Sequence, residues 1–413
     1  MSDSEFCFHK EHLNEEKIKL ISFISFLLGF GQAVLIYILS TYFKNISGTE
    51  NVGVFYLVAY AIELIILLNF HKVVAAYGRS RAFLFILLCK IPIILLLVFL
   101  PPNFLALIPL ILYLIAGSLA WVALDMILES CSTDRFSGRI RGLHLTIMNT
   151  GYVFGPLLST RLLDKFGFHG IFIFLIILYS FIFLFALLGL RNLRENVKYR
   201  PTIMEILKKV SLRKNVLRAY YISFVLEFFY ALMVIYTPIY LRNLGLGWDQ
   251  IGIVFTVMLV PFVLFQYPAG LIADKKTGEK ELIIFSLIVM AIATFSVYFI
   301  SSTSVAVWAL VLFATRIGAS LVEILRDSYF YKRIESTDID VIDFFRTSRA
   351  AAYIAAAIIS TPFLFIFPLK SIFLLTALVA FSALYPAFRL VDNRSEREIR
   401  VPPLTKGETE RDL

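Results

Sequence analysis

The chain is built from long apolar runs separated by short polar clusters. Each run is about 20 residues long, the length an α-helix needs to cross the hydrocarbon core of a bilayer. The pattern predicts twelve such helices, at 17–43, 52–70, 82–100, 105–131, 143–163, 168–190, 217–241, 250–273, 282–300, 305–331, 344–367 and 371–390. They are numbered here as spans 1 to 12. The runs are continuously apolar and do not alternate with period two, which excludes a membrane β-barrel. The fold class expected is therefore an all-α membrane protein.

Composition agrees: 59% of residues are hydrophobic and 17% charged, against about 25% charged in a soluble domain. The charges are also sorted. One set of loops carries Lys72, Arg79, Arg81, Arg135, Arg139, Arg141, the connector 191–218, Lys275, Lys276, Lys280, Arg326, Lys332, Arg333, Arg346 and Arg349. The opposite set carries Lys44, Arg161, Lys165, Arg242 and Lys370. Under the positive-inside rule the first set is cytoplasmic, as are both termini. The net charge of +9 is thus a topology signal, and no nucleic-acid partner is expected. The first sixteen residues are polar and the first run is long enough to span, so no cleavable signal is expected. The reading is a multi-pass protein of a prokaryotic plasma (inner) membrane, acting as a monomer among lipids. The three cysteines, Cys7, Cys89 and Cys131, have neither disulfide nor metal spacing, and no metal site is expected.

The chain also repeats. Phe23-Ile24-Ser25-Phe26 in span 1 matches Tyr221-Ile222-Ser223-Phe224 in span 7, an offset of 198 residues from position 23 to position 221. The same offset places Asp125 on Glu323, Glu129 on Asp327 and Ser130 on Ser328. Matched acids inside apolar runs indicate two six-helix halves related by an axis along the membrane normal. The division expected is a tail at 1–16, a first bundle at 17–190, a connector at 191–216, a second bundle at 217–391 and a tail at 392–413. In the connector, Thr202 and Glu205 have capping-box spacing. Ile203, Ile206, Leu207 and Val210 then form an apolar stripe, which predicts a short helix on the lipid surface.

Between spans 8 and 9 the loop reads Gly270-Leu271-Ile272-Ala273-Asp274-Lys275-Lys276-Thr277-Gly278-Glu279-Lys280. This resembles the loop signature of the major facilitator superfamily, G-x-L-x-D-R-x-G-R-R. The physical needs are a close helix approach at Gly270, an acid at Asp274 to hold helix ends and arginines, and a turn at Gly278. Lys275 stands for the signature arginine. In the first half Gly78-Arg79-Ser80-Arg81 keeps the end of the motif, but Val74 occupies the Asp position and Phe70 the first Gly position. Gly151-Tyr152-Val153-Phe154-Gly155-Pro156 in span 5 resembles the G-x-x-x-G-P segment of the family's antiporters. The same spacing also suits a close-packed, kinked helix. The resemblance implies the superfamily fold, two six-helix bundles with spans 1, 4, 7 and 10 around a central cavity.

Six ionisable residues lie well inside spans: Glu63, Lys90, Asp125, Glu227, Arg316 and Glu323. None can face lipid without a cost of about 2.5–3.5 kcal/mol or more. Glu63 and Lys90 fall at similar depth, which suggests a structural pair between spans 2 and 3. Glu227 and Arg316 fall near mid-depth, as a pair holding two helices together or as part of a substrate cavity with Gln32, Tyr230, Thr237 and Ser320. That pairing leaves Asp125 and Glu323 without cations. They are candidates, with Glu227, for proton coupling; each bonding a nearby arginine such as Arg141 or Arg346 is the alternative. Glu129 with Arg141, and Asp327 with Arg346, resemble the family's acid–arginine contacts, which with Gly270, Asp274, Lys275 and Gly278 imply a cytoplasmic gate.

The resemblance implies a secondary active transporter of a small solute working by alternating access. No phosphate-cradling Gly-rich Lys loop is present, so the driving force expected is a proton or other ion gradient, with no cofactor. No H-E-x-x-H, G-x-S-x-G or cysteine-nucleophile setting is present either, and no enzyme activity is expected. A transporter-like receptor that binds a ligand without moving it is the alternative, and measured flux separates the two.

Overall fold

A backbone in hydrocarbon must satisfy its own hydrogen bonds, and the helix does so within one segment. The computed structural model describes residues 3–131, 137–190, 203–273, 278–334 and 339–391, with side chains described at 16–70, 72–128, 143–190, 205, 208–273, 278–334, 341–342 and 344–391. It has no strand among them. The helices are α1 (Asp3–Ser47), α2 (Gly53–Tyr77), α3 (Arg79–Phe99), α4 (Leu107–Cys131), α5 (Ser137–Leu190), α6 (Ile203–Leu212), α7 (Lys214–Asn243), α8 (Trp248–Ile272), α9 (Lys280–Val297), α10 (Val305–Tyr331), α11 (Ile339–Ile366), α12 (Ser371–Ser382) and α13 (Leu384–Phe388).

Eleven stretches among the described residues are long and apolar enough to cross a membrane. One of them, Leu143–Leu190, has 48 residues, which would run about 72 Å if straight. That is more than twice a hydrocarbon core of about 30 Å. It is broken at Gly167, whose φ of 63° and ψ of −164° are not helical. A positive φ here needs glycine. The stretch therefore crosses twice, and the eleven stretches make the twelve predicted crossings.

Two apolar clusters form the interior. One is built chiefly from α1 to α5, the other chiefly from α7 to α13 with Val210 of α6. The side chains of Ile203, Ile206 and Leu207, the rest of the predicted stripe, lie outside the described residues. Within the first half, α1 packs closely on α5, and glycine sets that distance. A Cβ on Gly151 would stand 2.2 Å from the Phe26 carbonyl oxygen, and one on Gly155 would stand 2.3 Å from the Ala33 Cβ. The G-x-x-x-G-P segment thus serves as a close-packed crossing. Gly270 does not: the nearest heavy atom to a Cβ there is Ile324 Cγ1 at 3.6 Å, an ordinary contact. The predicted close approach at Gly270 is corrected on this point, because side chains already separate α8 from α10. Gly278 has a φ of 74°, and Gly78 in the matching loop has 88°. Both loops therefore turn on a residue in the left-handed region.

The two halves meet at the end opposite the basic loops. Lys44 Nζ lies 2.9 Å from Glu50 Oε1 and 3.0 Å from Asn243 Oδ1, and Asn243 Nδ2 donates to Glu50 Oε1 at 2.6 Å. Asn51 Nδ2 donates to the Thr361 carbonyl at 3.0 Å. Tyr60 of α2 stacks on Tyr353 of α11 with ring centroids 4.1 Å apart. Where α5 faces α8, a Cβ on Gly252 would stand 2.2 Å from Thr160 Oγ1.

Two outcomes follow. Gly151→Val should lower the thermal stability of the purified protein by about 1–3 kcal/mol or abolish folding, whereas Gly270→Ala should leave the melting temperature within error; equal melting curves for the two variants would refute the packing account. The second concerns Glu50. Partial burial acts to raise its pKa, but the hydrogen bonds from Lys44 and Asn243 and the Lys44 charge outweigh burial and hold it below the usual carboxylate value. A depressed pKa means the contact is at full strength above the ordinary value and is lost as pH falls through the lowered one. Spin labels at Asn45 and Asp249 should show a growing long-distance population on acidification, and Glu50→Gln should show it already at neutral pH. Distances independent of pH in the unsubstituted chain would contradict this.

Candidate functional site

Two adjoining cavities lie between the halves. The inner one, about 140 Å³, is lined by α1, α4, α5, α7, α8, α10 and α11. The other, about 200 Å³, lies toward the basic end and is lined by α2, α4, α5, α7, α10 and α11. They share Trp121, Met148, Glu227 and Arg349. Helices from both halves thus contribute to a polar interior that hydropathy alone does not show.

The charges in this interior pair differently from the sequence expectation. Glu227 is held by Arg326, whose Nη2 lies 3.1 Å from Glu227 Oε1. Arg326 Nη1 also donates to the Ser223 hydroxyl, and its Nε lies 3.3 Å from Asp327 Oδ1. Arg316, the expected partner of Glu227, is only 2% exposed. It makes no ion pair or hydrogen bond among the described residues; its guanidinium stands over the rings of Phe229 and Tyr230, 4.8 and 5.8 Å from their centroids. The reason is one of position. Arg326 lies a turn below Glu323 on α10, facing Glu227, while Arg316 lies more than two turns farther up the same helix.

Glu63 and Lys90 likewise do not pair. Lys90 Nζ donates to the Tyr179 hydroxyl at 2.8 Å and lies 4.3 and 4.1 Å above the rings of Tyr113 and Tyr179. Glu63 accepts from the Ser118 hydroxyl. The helix α3 packs on α4 and α5 far more than on α2, so Lys90 meets the tyrosines of those helices. An ammonium so placed is satisfied by one hydrogen bond and two ring faces.

Asp125 also has a cation. Arg346 Nη2 lies 2.9 Å from Asp125 Oδ2, linking α4 of one half to α11 of the other. Arg346 was expected opposite Asp327 and stands on Asp125 instead; for Asp125 this is the alternative reading, a bond to a nearby arginine. Glu323 accepts from Gln266 Nε2 at 2.9 Å and from the Tyr230 hydroxyl at 3.4 Å, both neutral donors. Gln266 in turn accepts from Asn149 Nδ2 at 3.0 Å. This chain of amides joins Glu323 on α10 to α5 in the other half. Asp125 and Glu323 line different cavities, so these repeat mates do not face each other in this conformation.

Of the expected cavity residues, Glu227, Tyr230 and Arg316 line the inner cavity. Gln32 accepts from Trp121 Nε1 and borders a third, smaller space beside Tyr60 and Arg349. Thr237 and Ser320 line neither of these two cavities. Thr237 is buried with its hydroxyl toward Met233 Sδ, and the Ser320 hydroxyl donates to the Ile317 carbonyl of its own helix. Of the expected gate residues, Asp274 and Lys275 and the side chains of Glu129 and Arg141 lie outside the described residues. At the same end, Glu279 is fully buried and accepts from Ser328 Oγ at 2.8 Å and from Lys332, a contact the sequence reading missed.

Sequence reasoning also missed Arg326, Arg349, Trp121, Asn149, Gln266 and Tyr353, all of which line or brace the cavities. A signal existed. Arg346, Arg349 and Tyr353 follow one another at spacings of three and four, which puts them on one helix face. So do Glu323 with Arg326, and Glu323 with Asp327.

A model of the Major Facilitator Superfamily matches residues 21–336. Among solved structures, the crystal structure of the human organic anion transporter MFSD10 (TETRAN) is similar with a TM-score of 0.67, over 91% of this chain and 99% of that chain. The identity is 12%, so the likeness concerns the fold alone. No curated protein matches the chain in sequence.

The Glu227–Arg326 contact makes a specific outcome testable. Removing one member leaves a buried charge without its partner, a loss of roughly 3–5 kcal/mol. Glu227→Gln and Arg326→Gln should each lower thermal stability, and the double substitution should recover most of the loss. A double variant as unstable as the sum of the singles would show that the two groups are not coupled.

Proposed function

The chain belongs to the major facilitator superfamily, and we propose that it is a secondary active transporter that moves a small solute by alternating access. The observation that carries the reading is the polar cavity between the halves, lined by both. Rocking of the two bundles, 17–190 and 217–391, about the cavity would expose it to one side at a time. The Arg346–Asp125 contact, which joins the halves toward the basic end, would serve as part of the inner gate. The plasma membrane of a prokaryote, with both termini cytoplasmic, is the setting that fits.

Proton coupling in this scheme falls to Glu323, since Asp125 and Glu227 have arginine partners. Glu323 is bound only by neutral donors, and the Gln266–Asn149 link ties its state to the opposite half. Binding or release of a proton there alters a contact that rocking must break.

The test uses full-length protein in proteoliposomes. Solutes that raise its melting temperature are assayed for uptake with and without a pH gradient. Gradient-driven accumulation is expected, abolished by a protonophore. Glu323→Gln should lose accumulation and retain solute exchange at equal pH. Tight binding without flux would favour a receptor, and accumulation unaffected by Glu323→Gln would remove this residue from coupling.

A further inference from the structure

Two guanidiniums in the inner cavity have donors without partners. Four charged side chains line it: Glu227, Glu323, Arg316 and Arg349. Glu227 is neutralised by Arg326. Glu323 is engaged by Gln266 and Tyr230 and lies within salt-bridge distance of no described cation. Arg316 is 2% exposed, and its Nη1 is buried without any hydrogen-bond partner. Arg349 likewise has a buried Nε without a partner, and its guanidinium lies 5.8 Å from the Tyr353 ring centroid.

An arginine cannot shed its proton in a protein. Its planar fork suits two parallel hydrogen bonds to one carboxylate. A buried guanidinium that forgoes such bonds is costly to keep. The ring faces of Phe229 and Tyr230 offset part of that cost for Arg316, but they occupy none of its N–H donors. Apart from the amide of Asn149, the remainder of the wall is apolar and aromatic, with Tyr37, Trp121, Tyr152 and Phe262 beside Ile36 and Leu259. The volume of about 140 Å³ is close to that of a cavity that holds one benzene ring.

Resting on the transporter reading of this same cavity, we infer that its substrates are small aromatic monocarboxylates, with the carboxylate on Arg316, Arg349 as the second positive charge and a single ring against the aromatic wall. Cotransport with one proton would make the loaded cavity carry no net charge from substrate and proton together. The amine alternative would place a cation on Glu323 with two arginines in the same cavity, whose repulsion opposes it.

The experiment is equilibrium binding by titration calorimetry on the purified full chain, with four matched probes: phenylacetate, phenylacetamide, 2-phenylethylammonium and acetate. Phenylacetate should bind at least about tenfold more tightly than phenylacetamide, the margin of one charge-assisted hydrogen bond. Acetate, which lacks the ring, and the ammonium should give no saturable heat. Arg316→Gln should weaken phenylacetate at least about tenfold with the amide unchanged, and Arg316→Lys should fall between, since a lysine keeps the charge and loses the fork. Equal affinity for acid and amide, preference for the ammonium, no saturable phenylacetate binding, or full phenylacetate affinity in a folded Arg316→Gln variant would each overturn the assignment. Should Arg316→Gln fail to fold, the ranking of the four probes on the unsubstituted chain decides alone. Phenylacetate that binds but is never carried across vesicles would defeat the transporter reading and leave the anion site. A transported solute that is cationic or neutral, with no phenylacetate binding, would do the reverse.

Discussion

A charge placed in a membrane span must be answered inside the protein, because lipid offers nothing to answer it. In this chain that constraint shapes the interior. Arg326 holds Glu227 and braces α7 to α10. Arg346 reaches Asp125 and bridges α11 to α4, from one half to the other. Lys90 is lodged among tyrosines and fixes α3 against α4 and α5. Where the answering groups run out, at Arg316 and Arg349, the protein has left a cavity. The same physics that ties the helices together thus also marks where they hold space open between them.

The contacts divide by purpose along the membrane normal. At the end opposite the basic loops they are short, polar and mostly exposed, as in Lys44, Glu50 and Asn243. Exchange with water makes such contacts weak one by one, which suits groups that must separate in turn. Within each half the helices are held by close backbone approach, as at Gly151 and Gly155. Packing of this kind does not soften gradually. In the proposed cycle each half would turn as a body while the polar contacts at its edge come apart.

The fold was almost entirely legible in the sequence, because bilayer thickness sets run length. The turns at Gly78 and Gly278 were legible from their loop pattern. The partners of the buried charges were not. A hydropathy reading assigns Arg326, Arg346 and Arg349 to the loops, because they stand near the ends of apolar runs. The helices α10 and α11 carry them back toward the cavity, so counting intramembrane bases gave too few. The 198-residue repeat marked Asp125 and Glu323 as equivalent positions on α4 and α10. It said nothing of what each would face, since the second half supplies Gln266 and Tyr230 to Glu323 while the first half borrows Arg346 for Asp125. Thr237 and Ser320 were misread for a simpler reason: a hydroxyl on a helix can be satisfied by its own turn.

The meeting of Thr160 with Gly252 gives the moving parts a bearing. A glycine at that point lets the α5 side chain sit against the backbone of α8, with no knob on the second surface to be lifted over the first. Friction at the bearing is then set by one missing methyl group. Neither residue lines the cavity of the guanidiniums, so in the proposed cycle the speed of rocking and the choice of cargo would be under separate control, and a lineage could retune either without disturbing the other.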